Sequence, residues 1–298
     1  MKITLTGSLG NIGKPLANDL ILKGHEVTVI STDPGKETAI EALGAKAAVG
    51  SVEDVQFLTG AFSGADAVYL MEPPVDFFDK ELDIEAYYGK LGYNFVEAVL
   101  SSGVKHVVHL SSIGAHTNNG IGMLHFHHQV ENILRELPSD ISLTHVRALA
   151  IYYNLLSFVP GIKHTGKITA NYGGDDIIAW VSPVDVAEVI AEELESPAQG
   201  RKFRYVVSDE LSCNETASIL GTAIGIPDLK WELISDQQQQ DRLVSIGMAP
   251  NQAAGLVEMN AAMHSGKLFE DYQQHRPSAV GKVKMSDYAK EFAKAYNG

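Results

Sequence analysis

The chain has 298 residues, of which 45% are hydrophobic and 20% are charged, as expected for a globular protein with a substantial core. Its formal net charge of −14 argues against a nucleic-acid partner, because little basic surface is left to contact phosphates. No apolar run reaches the roughly 20 residues that span a bilayer, and the single cysteine, Cys213, excludes an intramolecular disulfide, so we expect a cytoplasmic protein.

The first predicted elements are a short apolar strand and a helix, joined by a turn with three glycines. This arrangement offers backbone N–H groups and the positive end of a helix dipole to a dinucleotide pyrophosphate. Gly7 allows a sharp turn, Gly10 a close approach to phosphate, and Gly13 close packing of helix on strand. We expect Gly7, Gly10, Asn11, Ile12 and Gly13 to bind the cofactor, in a GxxGxxG rather than a GxGxxG spacing.

The following elements alternate between strands and helices. Strands are predicted at 2–6, 26–31, 45–49, 67–71, 105–110 and 142–147, and helices at 52–62 and 80–102. Such alternation is typical of an α/β fold, a Rossmann-type doubly wound parallel sheet. Right-handed crossovers place the carboxyl ends of all these strands at one edge, where ligands bind.

The second half of the chain changes in character. A helix near 185–194 and a strand at 203–207 look like extensions of the sheet, and the chain is mostly helical from Ser212 onward. We therefore predict an NAD(P)-binding Rossmann domain over 1–155, with sheet extensions from about 180–210. A smaller, mostly helical C-terminal substrate lobe is predicted over 212–298.

The end of the second strand bears on the choice of cofactor. An acid there binds the ribose 2′-hydroxyl of NAD, whereas a basic residue favours the 2′-phosphate of NADP. Here the strand ends on Ser31, with Thr32, Asp33 and Lys36 after it. Ser31, Thr32 and Lys36 would suit a phosphate, which favours NADP(H) over NAD(H), although Asp33 leaves NAD(H) open.

A proline-rich segment leaves the fourth strand at the same edge. By position, Met71, Glu72 and Pro73 should border the cofactor, with the proline fixing an extended backbone. The alternative interpretation is a rigid turn between strand and helix.

Several stretches together resemble one known family. They are 6–13, 50–54, 62–68, 98–104, 110–112 and 180–187, together with Arg147 and Asn154. In these stretches the chain is similar to atypical short-chain dehydrogenases/reductases of the NmrA-like subgroup, which includes bacterial NAD(P)H:quinone oxidoreductases. The resemblance is clearest up to about residue 187.

The resemblance implies roles for residues after the fifth strand. Ser111 and Ser112 stand where the superfamily has its active-site serine, with Ser111 expected at the cofactor and Ser112 at the substrate. The usual tyrosine and lysine are missing: His127 falls beside the nicotinamide, and Asn132 replaces a lysine. His127 or His128 would then be a general acid. One alternative is that these histidines only pack in the wall of the pocket. Another is a metal site, but no third ligand is evident, so we expect no metal.

The segment after the sixth strand should form a wall of the acceptor pocket. Tyr152, Tyr153 and Asn154 offer an aromatic surface and polar groups to a flat molecule. We therefore expect hydride transfer from NAD(P)H to a small quinone or conjugated carbonyl acceptor. The missing tyrosine and lysine favour an alternative hypothesis, a non-catalytic NADP(H)-binding redox sensor. A sugar-nucleotide epimerase is a third hypothesis, which the missing tyrosine disfavours. A homodimer is compatible with either of the first two.

Overall fold

The computed structural model describes residues 1–197 and 200–298. The strands in these ranges are β1 (Lys2–Leu5), β2 (Glu26–Ser31), β3 (Lys46–Val49), β4 (Ala67–Leu70), β5 (His106–Ser112), β6 (Ser142–Ala148), β7 (Ala150–Ile151), β8 (Lys167–Ala170), β9 (Ile177–Val181), β10 (Arg201–Val206), β11 (Asp209–Ser212) and β12 (Lys230–Leu233). The α-helices are α1 (Gly13–Leu22), α2 (Glu37–Ala42), α3 (Val55–Phe62), α4 (Ile84–Ser102), α5 (His125–Leu134), α6 (Val159–Thr165), α7 (Pro183–Glu195), α8 (Cys213–Ile224), α9 (Asp236–Ser245), α10 (Pro250–His264), α11 (Glu270–Gln274) and α12 (Met285–Asn297). Short 3₁₀ helices lie at Pro34–Lys36, Gly122–Leu124, Tyr152–Phe158 and Lys267–Phe269.

Seven parallel strands form the central sheet, in the order β10-β6-β5-β4-β1-β2-β3. This confirms the Rossmann-type α/β fold. The strand order reverses at β1, which lies between β2 and β4, and the crevice beyond such a reversal is the usual ligand site of open α/β sheets. The carboxyl ends of β1, β2, β4 and β5 therefore meet where the sequence places the candidate cofactor residues.

Helices cover both faces of this sheet. One hydrophobic cluster fills the face under α1 and α7 and continues beneath α8 and α12, and a second lies under α3, α4 and α5. Buried strand residues alternate between these clusters: Ala67 and Tyr69 belong to the first, Val68 and Leu70 to the second. The strands are therefore buried on both faces of the sheet, which explains why their sequences are continuous apolar runs.

Two predicted helices begin later than the sequence analysis expected, because aspartates cap them. The helix expected from residue 52 starts at Val55, where Asp54 accepts hydrogen bonds from the next turn. The helix expected from residue 80 starts at Ile84, capped by Asp83. Each carboxylate satisfies backbone N–H groups that a helix leaves free at its start.

The chain beyond β6 contains strands that the sequence analysis missed. A three-stranded sheet has the order β11-β9-β7, and β8 pairs with β12. The polar run 236–241 lies in α9, where Gln239 is buried. In the described residues, no helix is long and apolar enough to cross a membrane.

Candidate functional site

The turn between β1 and α1 depends on two glycines. Gly7 has a φ of +87°, and a Cβ there would lie 2.2 Å from the sulfur of Met71. A Cβ at Gly13 would lie 2.1 Å from the carbonyl oxygen of Ser8. A side chain at position 7 would meet a flexible neighbour but strain the backbone, whereas one at position 13 would collide with the backbone itself.

A serine in the turn holds an unusual backbone conformation. Ser8 has a φ of +54°, and it is the one non-glycine residue with positive φ in the described ranges. Its N–H donates to the carbonyl of Ile30 at 3.0 Å, and its hydroxyl donates to the hydroxyl of Ser31 at 3.0 Å. Ser31, which is buried, also accepts from the N–H of Asp33 at 3.2 Å. The hydroxyl of Ser31 thus supports the turn from the end of β2.

The start of α1 has the features of an anion-binding helix terminus. It has no side-chain cap and no acidic residue in its first turn. Gly10 and Asn11 are exposed at the tip of the turn, and Ile12 is buried beneath it. The glycines that admit no Cβ and the uncapped helix start fit a dinucleotide pyrophosphate.

The segment after β2 contains the candidate 2′-phosphate residues and Asp33, the acid that would favour NAD(H). Thr32 and Lys36 are exposed. Asp33 caps the following 3₁₀ helix, where its carboxylate accepts from the N–H of Gly35 at 2.8 Å. The carboxylate of Asp33, which would favour NAD(H) as the cofactor, therefore already has a hydrogen-bond partner within the protein.

The segment after β4 sends its carboxylate inward rather than to the edge. The side chain of Glu72 is 3% exposed, and its carboxylate accepts a hydrogen bond from Nε2 of His109 at 3.0 Å. Burial favours a higher pKa for Glu72, but attraction to His109 and this hydrogen bond bring its pKa below the ordinary value. Met71 lies against Gly7, and the carbonyl of Pro73 accepts from the hydroxyl of Tyr88.

A second histidine continues this buried chain. Nδ1 of His109 lies 2.9 Å from Nδ1 of His145 on the adjacent strand β6. Burial lowers the pKa of His145 to about 3, so it is neutral at physiological pH. This Glu72–His109–His145 hydrogen-bonded series is not among the predicted features; the sequence signal for it is a histidine at facing positions of two neighbouring buried strands.

A buried ion pair lies next to this chain, between the sheet and α5. The hydroxyl of Ser111 donates to Glu131 at 2.6 Å, and Arg147 donates to the same carboxylate at 2.9 and 2.8 Å. Burial favours a higher pKa for Glu131, but the hydrogen bonds and charge of Arg147 hold it at about 2. Arg147 also reaches Asp271 on α11, at 3.2 Å. Ser111 is thus directed into the protein, whereas the next residue, Ser112, is partly exposed.

The histidines of α5 have separate environments. His127 is half-buried, with its ring against Phe126, and its Nδ1 is buried without a hydrogen-bond partner among the described residues. Burial lowers the pKa of His127 to about 4. His128 is engaged at both nitrogens, by the carbonyl of Ala115 at 2.9 Å and by the amide of Asn132 at 2.8 Å. His127 is therefore not an imidazolium acid near pH 7.

The two tyrosines after β7 point to different places. Tyr152 is buried, and its single hydroxyl proton is shared between two acceptors, Asp209 at 3.0 Å and the carbonyl of Val283 at 3.2 Å. Tyr153 is 36% exposed and lines a cleft of about 540 Å³ between the starts of α1 and α7 and the helix α12. Asn11 lines this α1–α12 cleft as well, and Asn154 is exposed beside Tyr153.

The candidate residues therefore lie in several smaller groups rather than in one site. The turn brings Gly7, Gly13 and Ser31 together with Met71. Within the described ranges, no three His, Cys, Asp or Glu side chains are grouped to hold a metal ion.

Comparison with known proteins agrees with this geometry. A model of the NmrA-like family matches residues 1–291. The chain belongs to the NmrA-like family. The resemblance, which is clearest up to about residue 187 in the sequence, thus extends into the C-terminal helices of this NmrA-like protein.

Named relatives of this NmrA-like protein are reductases. It is 28% identical over 232 residues to a (4-alkanoyl-5-oxo-2,5-dihydrofuran-3-yl)methyl phosphate reductase of Streptomyces griseus subsp. griseus, covering 77% of this chain and 76% of the relative. It is 24% identical over 260 residues to an NAD(P)H azoreductase of Xenophilus azovorans, covering 87% and 86%.

Solved structures share the fold over nearly the whole chain. An NADPH-dependent quinone oxidoreductase of Escherichia coli, complexed with NADPH, superposes with a TM-score of 0.79 at 21% identity, covering 97% of this chain and 99% of that one. A triphenylmethane reductase of Citrobacter sp. gives a TM-score of 0.77 at 20% identity, covering 99% and 100%.

Proposed function

We propose that this NmrA-like protein is an NAD(P)H-dependent oxidoreductase that reduces a small quinone or another conjugated carbonyl acceptor. The observation that carries the proposal is a dinucleotide turn beside candidate acids that are neutral or already engaged. His127 is neutral near pH 7, and His128 has hydrogen-bond partners at both ring nitrogens. Such a site suits an acceptor that takes its proton from water, because orientation alone then supplies much of the rate.

The residues of the chain have mainly positioning roles in this proposal. A bound nicotinamide cofactor would supply the hydride. The start of α1 would hold its pyrophosphate, and His127 would present a flat, neutral ring rather than a proton. Ser112, Tyr153 and Asn154, which are all at least partly exposed, would contact the acceptor.

The names of the relatives support an enzyme over a sensor. Both curated relatives are named as reductases, and the two structural neighbours as an oxidoreductase and a reductase. The proposed division of labour is a cofactor domain over 1–155 and a substrate lobe over 212–298. It is supported by the α1–α12 cleft, which is lined by Tyr153 from the first segment and by Tyr288 from the second.

We also propose that NADP(H) is the preferred cofactor. Two observations support this: Thr32 and Lys36 are exposed after β2, and Asp33 is occupied as a helix cap. A free carboxylate at this position is what favours the 2′-hydroxyl of NAD.

The test is cofactor oxidation, followed at 340 nm, with 1,4-naphthoquinone, menadione and a series of enones. We expect turnover with at least one quinone, and a higher kcat/KM for NADPH than for NADH. Tight NADPH binding without turnover on any acceptor would contradict the enzyme proposal. Equal kcat/KM values for the two cofactors would contradict the proposed preference.

A further inference from the structure

Glu72 branches from the backbone directly beside the cofactor turn. The N–H of Met71 donates to the hydroxyl of Thr6 at 2.8 Å, and the sulfur of Met71 lies against Gly7. Glu72 is the next residue, and consecutive Cα atoms are only about 3.8 Å apart. A glutamate side chain that extended from this position into the crevice would therefore bring a negative charge close to the start of α1.

A negative charge at this place would oppose cofactor binding. The start of α1 has uncapped N–H groups and no acidic residue in its first turn, which suits it to negatively charged phosphates. NADPH carries negative charge on its pyrophosphate and on its 2′-phosphate. Repulsion between charges extends over about 10 Å before salt screens it. A carboxylate within that range of the turn has to be kept out of the crevice.

The structure directs the carboxylate of Glu72 away from the crevice. The side chains of Glu72 and His109 are 3% and 0% exposed, and Nε2 of His109 donates to the carboxylate at 3.0 Å. His109 lies on β5 opposite Leu70, the last residue of β4. The side chain of Glu72 therefore points back towards the sheet, where a polar partner replaces the water that an ionised carboxylate requires.

The ring of His109 is held in place from its other side. Its Nδ1 lies 2.9 Å from Nδ1 of His145, and the two rings are at 86° with their centroids 5.1 Å apart. Since both nitrogens of His109 are engaged, the ring cannot turn away from Glu72 without breaking two contacts. The Glu72–His109–His145 series thus fixes the direction of the carboxylate.

We propose that His109 is a positioning residue for the cofactor: it holds the carboxylate of Glu72 inside the protein, where the charge does not repel the phosphates of NAD(P)H. His109 contacts no cofactor in this proposal and acts through Glu72. The proposal rests on the NAD(P)H binding proposed above, but it does not require hydride transfer.

A charge-specific rescue, read by calorimetric titration with NADPH, tests this role. We expect His109→Leu to weaken NADPH binding about three- to tenfold, because the unpaired carboxylate turns from the core into the crevice. Glu72→Gln should bind NADPH normally, since its amide oxygen still accepts from His109 and carries no charge. The double variant should bind like Glu72→Gln. The loss in His109→Leu should shrink as the salt concentration rises, because screening weakens the repulsion.

Two further variants separate this role from general destabilisation. Glu72→Asp keeps the charge on a side chain one methylene shorter, which would lose the bond to His109. It should weaken NADPH binding in the same salt-dependent way, and it keeps the test open if His109→Leu does not fold. His106→Leu is the matched control, at a histidine that is 6% exposed at the other end of β5. It should lower Tm in a thermal melt without changing the affinity for NADPH.

The results separate this proposal from the proposed function. Unchanged affinity in Glu72→Asp or in a folded His109→Leu would overturn the positioning role. A loss in His109→Leu that Glu72→Gln does not restore, or that is independent of salt, would overturn it as well. With a wild type that binds NADPH, these results leave the proposed function intact. A wild type that binds neither NADPH nor NADH would contradict both proposals.

Discussion

Arg147→Met tests how strongly the buried ion pair stabilises the fold. Glu131 is fully buried beside Arg147, which holds the pKa of this carboxyl at about 2 instead of 4.5. This difference corresponds to about 3 kcal/mol of stabilisation at pH 7. Removing the guanidinium leaves the buried carboxylate with only Ser111 and the half-exposed Arg135 as partners, so we expect the free energy of unfolding to fall by up to about 3 kcal/mol. For a chain of this length, that loss lowers Tm by roughly 6 °C.

The pH dependence has a definite sign. In the wild type the folded-state pKa of Glu131 is depressed, so its contribution is complete above about pH 4.5 and is lost as the pH falls towards 2. In the variant, burial without Arg147 raises the pKa of Glu131, which destabilises the fold as the pH rises above about 5. The deficit of the variant should therefore be largest at pH 7 and should narrow under mildly acidic conditions.

Urea unfolding at pH 7 and pH 5, followed by tryptophan fluorescence and circular dichroism, measures this deficit. Lys105→Met is the control, because it breaks the pair of Lys105 with Asp140, whose side chains are 58% and 64% exposed, and should barely change the free energy of unfolding. Adding Glu131→Gln to the Arg147 variant should restore part of the loss. If Arg147→Met is no more destabilising than the control, or if its deficit grows on acidification, the reasoning is wrong.

Four further predictions concern the site and the assembly. Gly13→Ala should weaken NADPH binding at least tenfold in a fluorescence titration, because its Cβ would meet the carbonyl of Ser8. Gly60→Ala is the control, since its Cβ would enter open space, and it should bind NADPH normally. Equal NADPH affinities of the two variants would refute this prediction. His127→Gln should leave the pH profile of kcat/KM unchanged between pH 6 and 8, since the pKa of His127 is about 4; loss of an inflection there would show that it titrates. Lys36→Ala should raise KM for NADPH several-fold but not for NADH, and equal effects would exclude a contact with the 2′-phosphate. Light scattering should give twice the chain mass if the protein forms the homodimer with which the sequence is compatible, and a monomer mass would exclude that assembly.

Local features of the fold were predictable from the sequence because local residues determine them. The turn requires glycine at positions 7 and 13 for reasons of backbone geometry, and the alternation of strands and helices fixes the parallel sheet. The strands β8 and β12 were not predictable in this way. They pair with one another across about sixty residues of intervening chain, and they lie outside the regular alternation of strands and helices that identified equally short strands such as β3 and β4.

Side-chain directions at the candidate site depended on distant partners. The position of Glu72 after β4 indicated the cofactor edge, but its carboxylate bonds to His109, 37 residues later. Tyr152 and Tyr153 are adjacent and similar in sequence, yet only Tyr153 lines the cleft, because Asp209 and Val283 hold the hydroxyl of Tyr152. The directions of these side chains are determined by tertiary contacts, which cannot be inferred from a single sequence.

The bond between Ser8 and Ser31 links the choice of cofactor to the shape of the phosphate turn. Replacing Ser31 with an acid, the simplest route towards NAD specificity, would also remove the hydroxyl that supports the left-handed backbone of Ser8. Glycine at position 8 would relieve that strain. Protein engineering of cofactor preference in this chain would therefore have to alter positions 8 and 31 together, and natural divergence at this site faces the same coupling.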